Sequence, residues 1–120
     1  METEMEMECP LRYLQSLLGG KWKMPIVCML AGGAPLRNAT IKRRLGQITS
    51  TMLSQTLREL EADGIISRKQ FNEVPPHVEY SLTERGKSIV PILVELGTWA
   101  MDQMAEQQKT PACGGCTTKC

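Results

Sequence analysis

From residue 10 onward, apolar positions at helical spacing are broken up by glycine and proline, and this pattern assigns the elements in turn. Leu11, Leu14, Leu17 and Leu18 form an apolar face behind Pro10, which suits a first helical turn; Gly19 and Gly20 stop that helix. Lys21 and Trp22 open a second helix. Pro25 is tolerated in its first turn, Ile26, Val27, Met29 and Leu30 face inward, and Gly32, Gly33 and Pro35 end it. A third helix, over about 36–45, offers Ala39, Ile41 and Leu45 for packing and Lys42, Arg43 and Arg44 on its polar side. Gly46 closes it, because glycine takes a positive φ without a Cβ clash. Thr49 or Ser50 can cap the next helix, in which Met52, Leu53, Leu57 and Leu60 form one stripe. Thr51, Gln55 and Arg58 fall at i, i+4 and i+7 on a separate polar face. Helix, glycine turn and helix with such a face have the form of a helix-turn-helix entering a major groove, although paired amphipathic helices also occur in plain helical bundles.

The next stretch is what separates those two readings. Asp63-Gly64 is a turn signal, and residues 65–71 suit a strand. Residues 72–76, with adjacent Pro75 and Pro76, must form a loop, and Val78, Tyr80 and Leu82 alternate with Glu79 and Ser81 as a second strand. A hairpin directly after a helix-turn-helix predicts a winged helix. Thr83 caps a last helix, with Glu84 at its positive end, in which Ile89, Ile92, Leu93, Leu96, Trp99, Ala100 and Met104 keep the helical period. Pro91 lies inside it and predicts a kink, or a restart near Ser88. The fold class is α+β and mostly helical: a winged helix-turn-helix with a two-stranded wing and extra amino- and carboxy-terminal helices. The chain divides into an acidic segment 1–8, the domain 9–108 and a cysteine-containing tail 109–120.

Composition refines this. A chain of 120 residues makes one domain. Its formal net charge is only +1, but residues 36–69 hold seven Lys and Arg against three acids, so a neutral total hides a local basic patch. No stretch is long and apolar enough to span a bilayer. The glutamate-rich amino terminus has the wrong charge for a signal peptide, which leads to the expectation of a cytosolic protein without a membrane partner. His77 is the sole histidine, and no nucleophile motif, carboxylate pair or phosphate loop stands out, so neither an enzyme nor a resident cofactor is expected.

The expected partner is double-stranded DNA with a pseudo-palindromic operator; the alternative from another class is a protein-interaction module, since winged helices also bind proteins. Gln55 and Arg58 suit base edges, Gln pairing with adenine and Arg with guanine. Thr49, Ser50 and Thr51 suit a phosphate at the helix amino end. Lys42, Arg43 and Arg44 supply salt-sensitive affinity, and Arg68, Lys69 and His77 add wing contacts. For Arg58 the alternative is a surface ion pair with Glu59 or Glu61. The last helix has more apolar surface than a small winged helix needs. A homodimer interface of Leu11, Leu14, Leu93, Leu96, Trp99 and Met104 accounts for it, against packing within one chain on Leu14 and Leu17.

Cys9-Pro10, Gly19-Gly20-Lys21-Trp22, the run 57–64 (LRELEADG) and the run 75–83 (PPHVEYSLT) together resemble the HxlR family of bacterial and archaeal winged-helix transcription regulators. The likeness extends over about 9–104. It implies a homodimeric DNA-binding regulator with its outer helices in the dimer interface, a reading helix at 50–63 and a wing tip at 72–77. Two positions depart: the family often has a basic residue where Thr51 stands, and usually Arg where His77 stands. Loss of those charges weakens the expected phosphate and minor-groove contacts there.

The resemblance also singles out Cys9, because some members sense oxidants, quinones or aldehydes through a cysteine before the first helix. The helix dipole favours a thiolate at that position, and the glutamates before it oppose one. Cys28 is expected to be buried as a small apolar residue. The likeness stops short of the tail, where Cys113, Cys116 and Cys120 leave three readings: an idle segment, a thiol switch with Cys9, or a three-thiolate grip on zinc, copper(I) or an iron–sulfur cluster.

Overall fold

A computed structural model of the protein describes residues 8–111. The acidic segment before residue 8 and the tail cysteines Cys113, Cys116 and Cys120 lie outside the described residues. The chain runs α1 (Pro10–Leu18), α2 (Lys23–Leu30), β1 (Leu36–Arg37), α3 (Asn38–Leu45), α4 (Ser50–Ala62), β2 (Ile66–Phe71), β3 (His77–Leu82) and α5 (Glu84–Glu106). This is the mostly helical winged-helix arrangement that the pattern predicts.

Helix α1 begins with Pro10 at its first position, where a missing N–H leaves no bond unmade. Helix α2 has five buried residues in a row, 26–30, and a helix apolar on every side belongs in the middle of a core. Cys28 is among them, as expected. Against α2 pack Ile41 of α3, Leu53, Leu57 and Leu60 of α4, and Ile66, Tyr80 and Leu82 of the sheet, all in one buried cluster. Ile48, the sole large apolar residue in the helix-turn-helix turn, is also buried and pins that turn to the core.

Four local expectations are corrected. Residues 36–37 are a strand and not the start of a helix: Leu36 pairs with Tyr80 and Arg37 with Glu79, giving a three-stranded antiparallel sheet in the order β1-β3-β2. Two residues are too few for alternation to be visible in sequence. On α3, Ala39 is exposed, while Ile41 is buried. On α4, Met52 is 44% exposed and Thr56 takes its place in the buried stripe of Leu53, Leu57 and Leu60. The set 53, 56, 57 and 60 fits one helical face better, and Thr56 meets burial by donating its hydroxyl to the Met52 carbonyl at 2.8 Å. On α5, Leu93 is buried in the protomer's own core and is unavailable to an interface.

Helix α5 runs for 23 residues without interruption, Pro91 included. Pro91 is exposed, so the Lys87 carbonyl that loses its partner can turn to water. Thr83 starts the helix: its Oγ1 accepts from the Gly86 N–H at 3.0 Å, and its hydroxyl lies 2.5 Å from the Gly64 carbonyl. Gly86 is required here, since a Cβ would lie 2.2 Å from the Ile65 carbonyl oxygen. Threonine and glycine together press the start of α5 against the turn between α4 and β2.

Candidate nucleic-acid interface

Helix α4 stands at the surface because one face is pinned in the core and its ends are fixed. Gly46, with φ 85°, closes α3. Thr49, in extended conformation, caps α4 by accepting from the Met52 N–H at 3.1 Å. The first-turn amides of Ser50 and Thr51 have no partner within the helix and point outward at its positive end. Behind them the polar side chains of Ser50, Thr51, Ser54, Gln55 and Arg58 line one open surface. The sequence pattern points to every member except Ser54, which lies at i+4 from Ser50 on the same face.

Arg58 and Gln55 are held differently. Among the described residues, Arg58 makes no ion pair with Glu59 or Glu61; Glu59 pairs instead with Lys23, Nζ to Oε1 at 3.0 Å. Gln55 donates from Nε2 to Glu59 Oε2 at 3.2 Å, and Lys23 also lies 3.4 Å from the Ser16 carbonyl at the end of α1. The Lys23 ammonium, then Gln55, hold the Glu59 carboxyl below the ordinary value of 4.5. No local sequence signal announces this chain of contacts, because Lys23 and Glu59 meet only when α2 packs under α4.

Arg43 and Arg44 are exposed and Lys42 half-buried in the last turn of α3, where cations also complement the helix dipole. Arg68 and Lys69 are exposed on β2. As consecutive strand residues they point to opposite faces of the hairpin, Arg68 across from Tyr80 and Lys69 across from Glu79. His77 does not project from the wing tip. Its ring stacks on Phe71 with centroids 4.6 Å apart, and its Nε2 lies 3.2 Å from Glu79 Oε2. The hairpin register sets Phe71 opposite His77, and the stack follows from that pairing.

Cys9 is exposed and free, immediately before α1. Leu11 and Trp99 are 72% and 65% exposed, with Ile92 and Leu96 also open to solvent; Leu14 and Met104 are half-buried. Among the described residues no three His, Cys, Asp or Glu side chains come together in a way that could hold a metal. No helix there is long and apolar enough to cross a membrane.

A helix-turn-helix with a basic flank, an exposed face of polar side chains and a β-hairpin wing defines the winged-helix class of DNA-binding transcription regulators. Within that class the chain belongs to the HxlR-like helix-turn-helix family, whose model matches residues 17–108. It is 49% identical over 100 residues to the HTH-type transcriptional regulator YkvN of Bacillus subtilis, covering 83% of each chain. Among solved structures it is similar to the HTH-type transcriptional regulator YtcD, with 42% identity, a TM-score of 0.78 and coverage of 82% of this chain and 99% of that one. It is also similar to the redox regulator HypR in its oxidized form, with 38% identity, a TM-score of 0.70 and coverage of 86% and 100%.

Proposed function

We propose that the protein acts as a homodimer in the cytoplasm, sets α4 of each copy into the major groove of a pseudo-palindromic operator, and changes its operator affinity through thiol chemistry at Cys9. The observation that carries the DNA part is the open surface lined by the polar side chains of Ser50, Thr51, Ser54, Gln55 and Arg58, with the Arg58 guanidinium unclaimed by the nearby acids. Arg58 reads guanine, Gln55 reads adenine, and Thr49, Ser50 and Thr51 receive a phosphate. Lys42, Arg43 and Arg44 supply salt-dependent attraction, with Arg68 and Lys69 adding to it from the wing. His77 contributes little, because its ring is occupied by Phe71 and Glu79.

The apolar side chains of Leu11, Leu96 and Trp99 support the dimer, since exposed groups of this size ask for a partner. The thiol part rests on the exposure of Cys9 at the head of α1 and on the similarity to HypR, itself a redox regulator. A two-electron oxidant converts the Cys9 thiolate to a sulfenic acid, and a second thiol displaces water from it to form a disulfide. Cys113, Cys116 and Cys120 are the candidates for that second thiol. Operator affinity of the wild type and of Cys9→Ser, each before and after a mild peroxide, tests the switch. The wild type is expected to change and the variant to hold constant; an equal response in both contradicts the role of Cys9.

A further inference from the structure

Gln55 is a proposed reading residue whose amide is already hydrogen-bonded, at the protein surface, to a neighbour one turn along the same helix, the half-exposed Glu59. A primary amide has two faces, an acceptor oxygen and a two-hydrogen donor, and a free Gln side chain can turn either one outward. Gln55 is not free. The Glu59 carboxylate only accepts hydrogen bonds, so the group facing it at 3.2 Å must be Nε2. One N–H is thereby used, leaving Oε1 and the second N–H for the groove.

That remaining acceptor–donor pair matches adenine, which offers its N6 amino group and N7. Guanine offers two acceptors, O6 and N7, and Oε1 held toward the groove would face one of them unpaired. Glu59 is itself restrained. Lys23 binds its other oxygen at 3.0 Å, keeps only 13% of its own side chain exposed, and also reaches the Ser16 carbonyl. The contacts therefore join α1, α2 and α4. They also give a reason for a carboxylate on a DNA-facing helix, where its charge otherwise opposes the phosphates.

We infer that Glu59, anchored by Lys23, is a positioning residue that fixes the Gln55 amide in the orientation selective for adenine over guanine. This rests on the DNA-binding reading above and deepens it. The test is sequence selection from a random double-stranded DNA library by the full chain, as wild type, Gln55→Ala, Glu59→Ala and Glu59→Gln, each with its thermal midpoint recorded. Gln55→Ala identifies the base pair that Gln55 reads.

Glu59→Ala is expected to lower the adenine-over-guanine preference at that pair alone, by roughly tenfold or more, the scale on which a bidentate pair discriminates. Glu59→Gln, whose amide can accept or donate, is expected to lower it less, and gives the answer even where Glu59→Ala fails to fold. Retention of the full adenine preference in both variants overturns the inference. So does a loss spread evenly over all positions, which marks a structural role only. Enrichment of no sequence by the wild type contradicts DNA reading itself, and the inference with it.

Discussion

Arg58 and Gln55 lie on the same exposed face of α4, yet among the described residues Arg58 makes no ion pair while Gln55 is tied to Glu59. Their loss should therefore look different from loss of the basic flank. Arg58→Ala is expected to relax preference at one base pair and weaken the selected site by roughly tenfold to a hundredfold, whereas Arg43→Ala weakens all sequences alike and lowers the salt slope by about one. Competition binding across a salt series separates the two; uniform loss in Arg58→Ala would put that residue among the phosphate contacts.

Glu59 gives a pH prediction. Its folded carboxyl titrates below 4.5, so its ties to Lys23 and Gln55 are present above that value and are lost as pH falls through the lowered folded one. An NMR titration should find the Glu59 midpoint below 4.5 in the wild type and nearer to it in Lys23→Met. The exposed polar face of α4 was legible in the sequence because helical period alone assigns 51, 55 and 58 to one side. The stacking of His77 was not, since it depends on a cross-strand neighbour that only the hairpin register supplies.

At the scale of elements, long periodic segments and their caps were legible: α1 from Pro10, the stop at Gly46, and the caps at Thr49 and Thr83 all stand where the pattern predicts. What the pattern hid was held by distant partners. Strand β1 exists only through β3, and Thr56 enters the core stripe because its hydroxyl finds a carbonyl one turn back. The junction between the α4–β2 turn and α5 is the tightest of these long-range features. Thr83→Ala removes a cap and should cost about 1 kcal/mol. Gly86→Ala should cost more, because its methyl group meets the Ile65 carbonyl at 2.2 Å and backbone must move to relieve it. Urea unfolding of both variants checks the order, and a Gly86→Ala protein as stable as the wild type would contradict the close approach.

For the whole molecule, the apolar surface left outside the core is where the proposed homodimer would meet. Leu96 and Trp99 are exposed on α5 while Leu93, on the same helix, is buried within the protomer, so the helix has one inner face and one open face. Leu96→Asp is expected to shift sedimentation from dimer to monomer without loss of helical signal, because the change falls outside the folded core. An unchanged dimer would move the interface elsewhere. In the proposed dimer, two copies of α4 would demand two half-sites, spaced by about one helical turn of DNA or a multiple of it.

Whether α4 reads sequence is decided by recovering genomic DNA fragments with the purified, reduced protein. A few enriched pseudo-palindromic sites are expected for the wild type, with that enrichment lost in Arg58→Ala while the fold stays intact. Recovery of no site above background, or recovery unaffected by Arg58→Ala, would contradict sequence reading by α4.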